Sequence, residues 1–259
     1  MDLGLTGRKA LVCASSRGLG YACAEALVRE GADIVINGRD AEKLEQAASQ
    51  LGRLGGGTVK AVCADVGTEA GLDALCTACP EPDILINNNG GPPPGHYRDW
   101  DEPVWNQALH GNMLTPILLI RRVIDGMRER RFGRIVNITS ALVKSPTPSM
   151  GLSTAARAGL TGFTKGLSRE VARENVTVNN LLPGRFETDR LRQLMEFTMQ
   201  ARGLSYEDVR TEMEAEIPAA RLGELSEFGD TCAFLCSVQA GYISGQNILL
   251  DGGSHGGLL

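Results

Sequence analysis

The chain has 259 residues, 42% of them hydrophobic and 22% charged, with a formal net charge of −5. A chain of this length buries a core that needs no disulfide or metal staple, and the acidic balance argues against a nucleic-acid-binding surface. The 1–9 segment has no apolar core for a signal peptide, and the apolar run 114–120, interrupted by Pro116, is far too short to span a bilayer, so a cytoplasmic protein without membrane contact is expected. Seven cysteines (Cys13, Cys23, Cys63, Cys76, Cys79, Cys232 and Cys236) form no disulfide framework. Cys76-Thr-Ala-Cys79 is a single C-x-x-C without the second pair that a zinc site needs, and no bound metal is expected.

Short apolar runs alternate with helical patterns along the whole chain. Strands are predicted at 9–14, 33–37, 59–64, 84–88, 134–139, 177–182 and 247–250. Several are continuously apolar, as strands covered on both faces must be. Helices are predicted at 19–30, 41–51, 69–79, 101–130, 154–174 and 226–237. Such alternation implies βαβ units, and so an α/β fold: a Rossmann-type, doubly wound and mostly parallel sheet of seven strands with helices on both faces. With no linker or repeat, residues 1–259 read as one domain. Residues 188–216 break the rhythm, being one long helical stretch rich in Met, Leu and Glu with no strand. An insertion after a late strand lies over the usual ligand crevice, so this segment is expected to be a substrate lid.

The first strand runs into Cys13-Ala14-Ser15-Ser16-Arg17-Gly18-Leu19-Gly20 and straight into a helix. Glycines there let the backbone approach a pyrophosphate at the helix N-terminus. This segment resembles the T-G-x-x-x-G-x-G turn of the short-chain dehydrogenase/reductase family, with Cys13 and Ala14 replacing its first two residues. Four further segments match in order: Asp65-Val66, Asn87-Asn88-Asn89-Gly90, Pro183-Gly184-Arg185-Phe186-Glu187-Thr188, and Gly245 through Gly253. The resemblance covers essentially the whole chain. It implies that Ser15, Ser16, Arg17, Gly18, Leu19 and Gly20 surround the cofactor phosphates and that Asp65 and Val66 hold its adenine. It also implies that Asn88, Gly90, Pro183, Gly184 and Thr188 border the nicotinamide. At the end of the second strand an NAD site usually carries a carboxylate; Asn37-Gly38-Arg39-Asp40 and the nearby Arg17 favour NADP(H), with NAD(H) possible.

The family's reductases use an Asn–Ser–Tyr–Lys constellation, and here the chain departs from it. Asn112 and Ser140 match the first two. The downstream register places Ser153 at the tyrosine and Arg157 at the lysine, and no tyrosine occurs between Tyr97 and Tyr206. The chain looks like the 3-oxoacyl-carrier-protein-reductase-like subgroup with an imperfect tetrad. A serine is a far weaker acid than tyrosine, and an arginine holds ribose hydroxyls but cannot act as a base. The missing proton is expected from Lys144, or from His96 or Tyr97. The resemblance implies an oxidoreductase acting on a small-molecule or acyl-carrier-linked carbonyl, and a homotetramer. A redox-neutral lyase or isomerase and a non-catalytic NADP(H)-binding sensor or assembly protein are the competing readings.

Overall fold

The computed structural model describes residues 1–258. Its seven strands are β1 (Lys9–Val12), β2 (Asp33–Gly38), β3 (Val59–Cys63), β4 (Ile84–Asn87), β5 (Gly133–Ile138), β6 (Val176–Pro183) and β7 (Asn247–Leu250). They form one sheet in the order β3-β2-β1-β4-β5-β6-β7, and every pairing is parallel. The strand order reverses between β1 and β4, which opens a crevice at their carboxyl ends.

The helices are α1 (Gly18–Arg29), α2 (Ala41–Gly52), α3 (Glu69–Ala78), α4 (Glu102–Leu109), α5 (Thr115–Glu129), α6 (Gly151–Val171), α7 (Asp189–Arg202), α8 (Tyr206–Ala215) and α9 (Leu225–Cys236). Side chains alternate across a strand, so each strand feeds two cores. Ala10, Val12, Ile34, Ile36, Ile84 and Ile86 pack with Leu27 of α1, Leu44 of α2 and Phe228 of α9. Leu11, Val35, Leu85, Ile135 and Val178 pack on the other face with Leu75 of α3 and with Leu119 and Val123 of α5. Helices α1 and α9 come so close that a Cβ on Gly229 would stand 2.3 Å from the Ala22 carbonyl oxygen.

Strand ends fall within two residues of expectation, but three helices differ. The 101–130 helix is α4 and α5 joined by a π-turn over His110–Leu114. Helix α6 begins at Gly151, three residues early. The 188–216 stretch is two helices, not one. Gly203, at φ +66°, closes α7, and Ser205 with Asp208 forms a reciprocal cap that starts α8.

One polar feature crosses the sheet interior. Asn87, Asn137, Asn180 and Asn247 stand side by side in register on β4, β5, β6 and β7. Each of the first three donates its amide Nδ2 to the next residue's Oδ1, at 2.9, 3.0 and 2.8 Å. Among the described residues no helix is long and apolar enough to cross a membrane, and no group of three or more His, Cys, Asp or Glu could hold a metal ion.

Candidate active site

The turn after β1 is built around a left-handed alanine. Ala14 has φ +44°, a region that suits glycine and strains other residues. Asparagines clamp it on both sides: Asn88 Nδ2 donates to the Ala14 carbonyl at 3.0 Å, and the Ala14 N–H donates to Asn37 Oδ1 at 3.3 Å. Gly20 is required beneath, because a Cβ there would stand 2.5 Å from the Ala14 oxygen and 2.7 Å from Asn88 Nδ2. Gly18 sits at φ +60°. Arg17 lies in extended backbone and gives α1 no side-chain cap, whereas Asp40, Thr68 and Asp101 cap α2, α3 and α4. The first N–H groups of α1 are therefore left for an anion, in a cradle that a pyrophosphate fits. Cys13 brings no nucleophile to the turn, because burial pushes its thiol up to about 12.

Two residues expected at the phosphates do something else. Ser15 is fully buried; its hydroxyl donates to the Val12 carbonyl at 2.7 Å and accepts the Asn37 N–H at 3.0 Å. Its hydroxyl is committed to joining β1 to β2, and Ser15 shapes the turn from inside. Arg17 does not turn toward β2. Its Nη1 pairs with Asp189 of α7 at 3.0 Å. Leu19, half-buried, packs on the core beneath α1.

At the end of β2, Ser16 Oγ lies 3.2 Å from where a Gly38 Cβ would be. The Arg39 side chain is 78% exposed, and its nearest acid is Asp65 at 3.9 Å. Asp40 is engaged elsewhere, capping α2 at the Lys43 N–H and pairing with the Lys43 ammonium at 3.0 Å. The charge presented at this edge is that of Arg39. Val66, beside Asp65, is buried.

Asn112 lies within the π-turn and is buried. Its Nδ2 donates to the Gly90 carbonyl at 3.4 Å, while its Oδ1 is buried without a partner. A buried acceptor left open in this way is costly unless a donor arrives with a ligand or a water. Ser140 follows β5 and accepts the Leu142 N–H at 3.2 Å, which leaves its hydroxyl proton to give. Lys144 ends the turn after Ser140 and has no carboxylate within ion-pair distance among the described residues.

The Tyr and Lys positions are closed on themselves. Ser153 is 4% exposed, and its Oγ accepts from Arg157 Nε at 3.2 Å. Arg157 Nη1 donates to the Ile138 carbonyl at 2.7 Å. Burial, and next the nearby charge of Arg190, lower Arg157 to about 10. The guanidinium thus ties α6 to the end of β5 through Nη1 and spends Nε on Ser153 within α6, and Nη2 faces the crevice rim at Gly91.

The first turn of α7 spans the crevice mouth. Thr188 caps α7 through the Leu191 N–H, and its methyl lies 3.8 Å from a Cβ built on Gly18. Arg190 donates to the carbonyls of Gly91 and Pro92 at 2.9 and 2.8 Å. Pro183 ends β6; the Gly184 N–H donates to the Leu250 carbonyl, and a Cβ on Gly184 would meet Asp251 Cα at 2.8 Å. His96 caps a short turn and Tyr97 is 61% exposed beside it. The C-terminal tail reaches the same rim, with His255 Nδ1 2.7 Å from Ser145 Oγ. Arg190 and His255 carried no family motif, and only packing brings them here.

A family model described as enoyl-(acyl carrier protein) reductase matches residues 13–255. The chain is 33% identical over 253 residues to the 3-oxoacyl-[acyl-carrier-protein] reductase of Vibrio cholerae, covering 98% of this chain and 99% of that one. It is 34% identical over 253 residues to nodulation protein G of a Rhizobium species, covering 96% and 97%. Among solved structures, the L-sorbose reductase of Gluconobacter frateurii, complexed with NADPH and L-sorbose, superposes with a TM-score of 0.94 at 29% identity over the full length of both chains. YwfH, an NADPH-dependent reductase involved in bacilysin biosynthesis, gives 0.91 at 29% identity over 98% of this chain and 100% of that one. With a glycine turn, an asparagine in a π-turn and a serine after β5 arranged around one crevice, and with relatives matched end to end, the chain belongs to the short-chain dehydrogenase/reductase family of oxidoreductases.

Proposed function

We propose that the protein is an NADP(H)-dependent reductase that interconverts a ketone and a secondary alcohol, on substrates of the 3-oxoacyl type, without the family's tyrosine acid. The observation that carries this reading is the edge of β2, where Arg39 projects while Asp40 is held by α2 and Lys43. A guanidinium there favours the 2′-phosphate of NADP(H), whereas a free carboxylate would favour a ribose hydroxyl. The names of L-sorbose reductase and YwfH, both tied to NADPH, support the same choice.

The N–H groups of α1 and the Gly18–Gly20 turn would hold the pyrophosphate, Ser16 and Arg39 the 2′-phosphate, and Asp65 and Val66 the adenine. Asn88, Gly90, Pro183, Gly184 and Thr188 would border the nicotinamide. Bound there, NADPH supplies a hydride to the substrate's carbonyl carbon. Ser140 donates its hydroxyl proton in a hydrogen bond to the carbonyl oxygen. The open Oδ1 of Asn112 holds a water that feeds protons toward the site. Ser153, buried against Arg157, is not the acid. Lys144 delivers the proton from the loop that follows Ser140, and Arg157 fixes the wall beside the ribose. The chain works as one domain in which α7 and α8 form a lid at residues 188–216. A homotetramer in the cytoplasm is the assembly and location that the full-length likeness supports.

A second reading, cofactor binding without turnover, draws on the closed Ser153–Arg157 pair. Calorimetric titration tests the first point. Wild type should bind NADPH more tightly than NADH, and Arg39→Ala should lose about tenfold or more for NADPH alone, the scale of a charge-assisted hydrogen bond. Equal affinity for both cofactors refutes the NADP(H) assignment. Turnover of a 3-oxoacyl thioester or of a free 3-oxo acid, followed at the nicotinamide absorbance, separates the reductase from the silent binder.

A further inference from the structure

We infer that the carbonyl substrate is a keto acid, whose carboxylate is gripped by Arg157 and Arg190 at Gly91. The inference rests on the reductase reading and narrows its substrate class.

Two guanidinium groups from different elements converge on one point. A Cβ built on Gly91 would lie 3.4 Å from Arg190 Nη2 and 3.5 Å from Arg157 Nη2. Arg157 comes from α6 below the crevice, and Arg190 from the first turn of α7 above it. Neither has a carboxylate within ion-pair distance among the described residues. This is not the habit of the lid: Arg185, Arg192, Arg202 and Arg210 each grip a glutamate, and Asp189, next to Arg190, pairs with Arg17. The protein supplies carbonyl oxygens to the two arginines, from Ile138, Gly91 and Pro92, and no negative charge.

Two like charges brought to one rim, Arg157 half-buried and Arg190 exposed, repel each other, and the burial of Arg157 adds to the penalty. The repulsion shows in Arg157, held below the usual arginine value by burial and by Arg190. An anion between them relieves both terms, and the two Nη2 groups, one from each arginine, can each give a charge-assisted hydrogen bond to one carboxylate. The site adjoins Gly90, whose carbonyl holds Asn112, so an acid bound there stands next to the proposed reacting carbonyl. Lys144 leaves the loop after Ser140 uncompensated too, with no carboxylate within ion-pair distance of it among the described residues. A thioester carries no carboxylate at this place, whereas a keto acid does.

The test uses acetoacetate and methyl acetoacetate, nearly the same shape with and without the charge. Each is titrated calorimetrically into the NADP⁺-loaded full chain. Acetoacetate should bind at least about tenfold more tightly, the effect of one charge-assisted hydrogen bond. Arg190→Met should erase the preference and Arg190→Lys restore part of it, with NADP⁺ affinity unchanged in both. Equal binding of acid and ester by wild type, or none, overturns the inference, and this comparison needs no variant. A loss of NADP⁺ affinity in Arg190→Met also overturns it, assigning the pair to the cofactor's pyrophosphate. Failure to bind NADP⁺ or NADPH at all is a different result. It removes the reductase reading, and the acid–ester comparison on the free protein then decides the arginine pair alone.

Discussion

The strained turn at Ala14 gives a prediction that runs against the usual effect of adding glycine. Ala14 sits at φ +44°, where an L-residue costs roughly 1–2 kcal/mol relative to the right-handed region. Glycine removes that strain but gains freedom in the unfolded chain, which offsets about 0.4–1 kcal/mol. The clamps on this turn are backbone groups, the Ala14 N–H and carbonyl, so they survive the change. Ala14→Gly should therefore stabilise the protein by about 0.5–1 kcal/mol, combining the two estimates. For a chain of this size that raises Tm by about 1–4 °C. Thermal unfolding by circular dichroism measures it, with a urea midpoint as a second reading. Ala220, at φ +53° in a turn closed by the Ile217 carbonyl, is the internal control and should respond with the same sign. A lower Tm for Ala14→Gly together with a higher one for Ala220→Gly would show that the Ala14 methyl packs favourably enough to outweigh its strain, refuting the argument.

Asn137→Ala should destabilise by about 3 kcal/mol in urea titration, because it strands the Asn87 amide donor and strips a donor from Asn180 in the sheet interior; a loss under about 1 kcal/mol would mean that water replaces the missing amide. Ser153→Ala should change turnover less than about threefold, whereas a loss of 10²–10⁴-fold, the usual share of a positioned acid, would reinstate Ser153 as the proton donor. Glu227 is lowered to about 2 from its ordinary 4.5, first by the bidentate bond from Arg221 and then by the Glu224 N–H. A carboxyl lowered on folding contributes stability that is present above 4.5 and lost as pH falls toward about 2. Glu227→Gln should flatten the loss of stability across that window, and an acid limb identical to wild type contradicts the assignment.

Much of the fold was legible because it depends on local pattern. Continuous apolar runs such as Ile84–Asn87 mark doubly covered strands, and the turn after β1 shows its glycines openly. The break between α7 and α8 was readable too, since Gly203 and Ser205 with Asp208 carry the ordinary stop and start signals. What the sequence hid was relational. Ser15 looks like a ligand because it is polar in a glycine turn, and only the approach of β2 shows its hydroxyl spent on the backbone. The meeting of Arg157 with Arg190 joins residues 33 positions apart, through a loop that belongs to neither helix. The π-turn at Asn112 follows from no residue preference and appears only in the helix itself.

The asparagine row on β4 to β7 has a direction. Every amide points its nitrogen toward β7 and its oxygen toward β4, so the four side-chain dipoles add head to tail. Turning one amide over would set donor against donor on one side and acceptor against acceptor on the other, so the row reorients together or stays. The row also counts residues. Slipping β5 by a single position in either direction would put Val136 or Ile138 into the row and swing Asn137 to the opposite face, breaking the row and placing an amide among the apolar residues of the other core. Apolar strands buried on both faces look nearly alike from one register to the next, and backbone pairing alone does not distinguish them. The Asn137 amide makes the wrong registers of β5 expensive, and so fixes where the carboxyl end of β5, with Ser140 beyond it, arrives relative to β4 and β6.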